Sequence, residues 1–148
     1  MKKILGLFLL LLSAVLSGGC DKVPRNGWLD GQWQLVEMDE TDVKAQRIYW
    51  RFQLDLLQFY SPVVRLSTDI KHNAVMSRFE HRGRQLTLPH AYLIIRSEGR
   101  DSLITPQMNI DLSAFGVDRL PLTYRVVSAE SQSMVLETDR HRLVFRKF

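Results

Sequence analysis

The chain predicts an all-β fold of about eight antiparallel strands with one short helix, arranged as a sandwich or as the β-barrel that the opening Gly31-Gln32-Trp33 motif favours. Three observations carry that expectation. Ile48, Trp50, Phe52, Leu54 and Leu56 alternate with Tyr49, Arg51, Gln53 and Asp55, the period of a strand with one dry and one wet face. The last third repeats the pattern at Leu120, Leu122, Tyr124 and Val126, at Met134 and Leu136, and at Leu143 and Phe145, with polar turns between. Short strand-like runs of this kind recur from residue 28 to the end, which suits a sandwich or a closed barrel.

The elements follow in order. Residues 1–19 have the zones of an export signal: Lys2 and Lys3 in front, a largely apolar run from Ile4 to Leu16, then Ser17-Gly18-Gly19. The apolar run is too short for a spanning helix, which needs roughly 20 residues. Cys20, the one cysteine in the chain, follows directly and looks like the acylation site of a lipobox, although Ser17 stands where leucine is usual. The expectation is cleavage before Cys20 and a lipid anchor on its thiol. Residues 20–27 then form a short tether, with Pro24, Asn26 and Gly27 marking it as loop, and 28–148 form one domain.

Without residues 1–19 the net charge falls from +4 to +2, because Lys2 and Lys3 leave. That balance, with an envelope destination, argues against nucleic acid as a partner. A single cysteine permits no disulfide within the chain, so the core must hold the domain.

Past Trp50 the parity changes at Leu57 and Phe59, predicting a bulge or strand bend near Leu56-Leu57. Pro62–Thr68, Ala74–His81, Gln85–Leu88 and Tyr92–Arg96 read as further short strands, with Arg82-Gly83-Arg84 as a hairpin turn. Thr105, Pro106 and Gly116 suit the cap, first turn and end of the one helix, in which Met108, Leu112 and Phe115 share a stripe; its shortest form is one turn around Asp111 to Phe115. Three antiparallel strands close the chain.

Gly31-Gln32-Trp33 on the first strand resembles the opening motif of lipocalins, where the tryptophan plugs the closed end of the barrel. The wider order of motifs runs from Leu29–Leu35 through Tyr49–Leu54 to Met134–Leu136 and Leu143–Phe148. Together with the lipobox it is similar to the lipocalin-like envelope lipoproteins of Bacteroidota. That resemblance implies a fold and a location, with the outer membrane as the commoner destination, and no assigned chemistry.

The candidate site residues are Trp33, Trp50, Phe52, Leu54 and Tyr124, on inward parity, which would either line a ligand cavity or fill the barrel. Tyr60 and Tyr92 would add polar tips. His72, His81, His90 and His141 include no closely spaced pair, so neither a metal nor another cofactor is expected. No Gly-x-Ser-x-Gly elbow occurs, and Ser97, Ser102 and Ser113 have no recognisable base nearby. Asp39, Glu40 and Asp42 read as solvated loop acids. Arg78, His81, Arg82 and Arg84 form a basic hairpin that either faces anionic headgroups or simply protects a sheet edge. The reading is of a non-catalytic, lipid-anchored barrel that carries a small apolar ligand. The alternative is an envelope interaction module with a filled barrel.

Overall fold

The computed structural model of the chain describes residues 25–66, 74–95 and 99–148. The segment read as an export signal, Cys20 and most of the expected tether lie outside them, as does His72. Twelve strands are present among the described residues: β1 (Gly31–Met38), β2 (Thr41–Asp42), β3 (Tyr49–Gln53), β4 (Leu56–Tyr60), β5 (Ala74–Arg78), β6 (Glu80–Arg82), β7 (Gln85–Leu88), β8 (Ala91–Ile95), β9 (Arg100–Leu103), β10 (Leu122–Ala129), β11 (Ser133–Glu137) and β12 (Arg142–Lys147).

All pairings are antiparallel, in the order β6-β7-β10-β11-β12-β1-β3-β4-β5-β8-β9, with β2 added to β1. Only Phe79 separates β5 from β6, and only Pro89 and His90 separate β7 from β8. Each of these pairs is therefore one bent strand, and the path returns to itself through them as a curled barrel. Counted this way the barrel has eight staves, as the sequence predicts, with β2 and β9 as short additions. Extra residues at Val36 in β1 and Val127 in β10 shift the register by one. Such bulges sharpen local twist and help a sheet to curl.

The predicted long strand through Leu56 is instead the β3–β4 hairpin. Gln53 faces Leu56, so Leu54-Asp55 is a two-residue turn. The parity change at Leu56-Leu57 comes from this turn and not from a bulge or bend within one strand. Leu54 sits at φ +59 and is 55% exposed, so it is no part of the barrel interior. Period-two alternation cannot distinguish one strand from two joined by a turn of two residues. Leucine also lacks the turn chemistry that would have marked the site.

A continuous helix from Thr105 to Gly116 does not form, while the short turn expected around Asp111 to Phe115 does. Residues Pro106–Met108 and Ser113–Phe115 form two separate 3-10 turns, and Asn109 breaks between them at φ +48. Thr105 makes no side-chain cap. The segment from Ile104 to Pro121 is a strap, tied to the loop after β4 by the Asp111 amide donating to the Leu66 carbonyl at 3.0 Å. Leu112 and Phe115 are buried because the strap packs on the barrel, not because a helix aligns them. No strand forms over 62–66. Ser61 Oγ organises this loop, donating to the Gln46 carbonyl and accepting from the Val63 and Val64 amides.

Candidate functional site

The barrel has two unlike ends. At the start of β1 the chain enters through a 3-10 turn, Gly27–Leu29. Trp33 is fully buried there and its indole N–H donates to the Leu29 carbonyl at 2.7 Å. The Lys147 ammonium, arriving on β12, sits 4.2 Å from the Trp33 ring centroid and donates to the Trp28 and Asp30 carbonyls. Partial burial holds the Lys147 pKa below its usual value. Gly31, at φ +115, lies so close to Lys147 that a Cβ would approach its Nζ to 2.9 Å. This end is closed by packing.

The middle is filled with aromatic rings. Trp50 is fully buried, its ring centroid 5.0 Å from Phe59, 5.0 Å from Phe145, 5.5 Å from Tyr124 and 6.1 Å from Phe52. The Trp50 indole N–H has no hydrogen-bond partner among the described residues. Tyr124 is fully buried and donates its hydroxyl to the Gly116 carbonyl at 2.7 Å. Burial pushes its phenol pKa up. Of the sequence-predicted site residues, Trp33, Trp50, Phe52 and Tyr124 thus meet inside the barrel, and Leu54 lies outside. Tyr60 does not join them. It lies on the outer surface, stacked with Tyr49 and beneath the Arg51 guanidinium at 5.0 Å. Tyr92 is only partly buried and packs edge-on to His90.

The opposite end is the mouth, covered by the strap. Phe115 projects from it, fully buried and 6.2 Å from Phe59, as a stopper for the aromatic column. Gly116 follows at φ +81 and packs directly on Leu143, so no side chain fits there. Beside the stopper the strap forms an open pocket of about 320 Å³, its apolar side made by Ile104, Ile110, Leu112, Val117 and Leu120 and its polar side by Thr105, Asn109, Asp111, Asp118 and Arg119.

A latch joins the strap to the rim. Asp39 and Glu40 form the tight β1–β2 turn, both at positive φ, and Thr138 to His141 form the turn between β11 and β12. His141 lies between two carboxylates, with Nδ1 2.6 Å from Asp39 and Nε2 2.8 Å from Asp118 of the strap. The Asp39 hydrogen bond, opposed by partial burial and aided by Asp118, raises the His141 pKa above its usual value. The Arg142 amide, which donates to Asp39 at 2.8 Å, leads the effects that lower the Asp39 pKa. Asp39 is therefore not merely a solvated loop acid. It helps fasten the strap.

Sequence reasoning missed this cluster because Asp39 and His141 are 102 positions apart, and no local pattern links them. Among the described residues no group of three metal-ligating side chains stands in position to hold an ion. The basic hairpin is partly neutralised, with Arg78 paired to Asp55 and Arg82 to Glu80.

Known proteins give the same architecture. A lipocalin-like protein from Bacteroides uniformis, 19% identical, superposes with a TM-score of 0.55 over 82% of this chain and 100% of its own. An uncharacterized protein from Bacteroides eggerthii, 15% identical, gives a TM-score of 0.51 over 80% of this chain and 98% of its own. None of the curated proteins matches the sequence. The family model for the lipocalin-like domain matches residues 11–148, and with the curled antiparallel barrel, the buried Trp33 plug and the covered mouth, it places this chain in the lipocalin-like domain family.

Proposed function

We propose that the protein is a non-catalytic, lipid-anchored lipoprotein of the cell envelope, held in the outer membrane by acylated Cys20, whose barrel binds a small apolar molecule at its mouth. The observation that supports the binding reading is the pocket within the strap. It pairs an apolar patch of Ile104, Ile110, Leu112, Val117 and Leu120 with the polar groups of Asn109, Asp111, Asp118 and Arg119, and its volume of about 320 Å³ suits a compact ligand with a polar end. The aromatic column supports placing the ligand at the mouth and not deeper, because Trp50 is already surrounded by Phe52, Phe59, Tyr124 and Phe145.

The test is native mass spectrometry of protein purified from its own host, with Ile110→Trp as a variant that fills the pocket. A small molecule retained by the wild type and lost from the variant supports the reading. The packing around Trp50 favours a second reading, an interaction module with a solid barrel, and a reproducibly empty wild type would support that instead. Anchoring is tested separately. Cys20→Ser should move the protein from the membrane to the soluble fraction.

A further inference from the structure

The closed end of the barrel carries two apolar side chains that its own packing does not use. Trp28, on the 3-10 turn before β1, is 61% exposed, and Leu54, at the tip of the β3–β4 turn, is 55% exposed. Asn26 holds the two segments together, its side-chain amide donating to Asp30 at 2.6 Å and to the Leu54 carbonyl at 2.7 Å. Nearby charges are occupied: Asp55 pairs with Arg78, and the Lys147 ammonium is spent on the Trp28 and Asp30 carbonyls. The mouth is richer in charge, with one exposed apolar side chain, Val63, on the loop beside it. Its rim presents Asp39, Glu40, Arg119, Asp139 and Arg140, all exposed.

The closed end is also where the chain arrives from Cys20. Four residues separate Cys20 from Arg25, and the five steps between them reach at most about 18 Å when fully extended. A domain held that closely cannot turn its entry point away from the anchoring surface. Tryptophan is the side chain most suited to the boundary between headgroups and acyl chains, with an apolar ring and one polar N–H.

We infer that the Trp28–Leu54 face lies against the lipid bilayer, with the Trp28 indole seated at the headgroup level, so that the barrel stands with its strapped mouth away from the membrane. This rests on the lipid-anchor reading of Cys20. The fatty chains supply attachment, and the face supplies orientation. Leu54 and Arg25 extend the same surface, the first toward the acyl chains and the second toward anionic headgroups.

The experiment uses full-length lipidated protein in vesicles of phosphatidylethanolamine and phosphatidylglycerol, prepared with and without bromine on the acyl chains. Wild-type tryptophan emission should fall in the brominated vesicles, and Trp28→Ser should abolish that fall while still floating with the vesicles. Trp33 and Trp50 remain inside the barrel and serve as an unquenched background. Protein that floats but shows equal emission in both vesicles overturns the orientation and leaves the anchor intact. Protein that does not float removes the anchor and this inference with it. Shielding of Trp28 that depends on protein concentration and accompanies dimers in detergent would assign the face to a second copy, and also overturns it.

Discussion

The hydroxyl of Tyr124 reaches the carbonyl of Gly116 at 2.7 Å, joining the inside of β10 to the strap that covers the barrel mouth. Both groups are buried, so neither has water as a replacement. Tyr124→Phe should therefore cost about 1–2 kcal/mol, the penalty of leaving a buried acceptor unpaired. Urea unfolding measures the loss, and hydrogen exchange should show faster opening at strap amides than in β11 or β12.

Gly116 tests the strap by sterics. Its φ of +81 disfavours any side chain, and an added Cβ would lie 2.6 Å from Leu143. Gly116→Ala should destabilise by about 2 kcal/mol or more, combining backbone strain with overpacking. Gly83→Ala is the control. That hairpin glycine has φ +58 but open space around it, and should cost only about 1 kcal/mol.

The His141 latch predicts a pH dependence with a definite sign. The raised histidine pKa means that its contribution is complete below the ordinary value of 6.5 and is lost as pH rises through the higher folded value. The lowered Asp39 pKa means that its contribution is complete above the ordinary 3.8 and is lost as pH falls through the lower folded value. Glu40, Asp118, Arg119, Glu137, Asp139, Arg140 and Arg142 are the other charged groups around the pair. The stability difference between wild type and His141→Gln should therefore be largest from about pH 4 to 6.5 and shrink towards alkaline pH. Thermal unfolding of both proteins across that range checks it.

Two interior tryptophans should respond unequally to phenylalanine. Trp33→Phe removes the hydrogen bond to the Leu29 carbonyl and weakens the seat of the Lys147 ammonium. Trp50→Phe removes an N–H that has no partner among the described residues. The Trp33 change should cost about 1–2 kcal/mol more than the Trp50 change, read from denaturant midpoints at equal slope.

Much of the barrel was legible in the order of residues. Trp50, Phe52, Leu122, Tyr124, Val126, Met134, Leu136, Leu143 and Phe145 all face inward where alternation puts them, because a half-buried strand must spend every second position on the core. Two places misled the same reasoning. Leu54 kept the parity of β3 while occupying a turn, and Met108, Leu112 and Phe115 kept helical spacing on a strap whose two 3-10 turns never join into one helix. In both, an apolar residue answered to long-range packing or turn geometry and not to the period of its own segment. β9 escaped notice for a related reason. Arg100 to Leu103 carries little apolar alternation and is a strand through its pairing with β8.

Period-two patterning and polar turns were enough to specify an all-β chain with its inward faces, since backbone geometry converts local spacing into a dry side and a wet side. The mouth required the folded molecule. Phe115 stops the aromatic column, and Asp118 meets His141 and Asp39, only once the barrel has curled and brought a loop, a strap and two distant turns to one rim. Such meetings depend on closure of the sheet, a property of the whole chain that no short stretch of residues encodes.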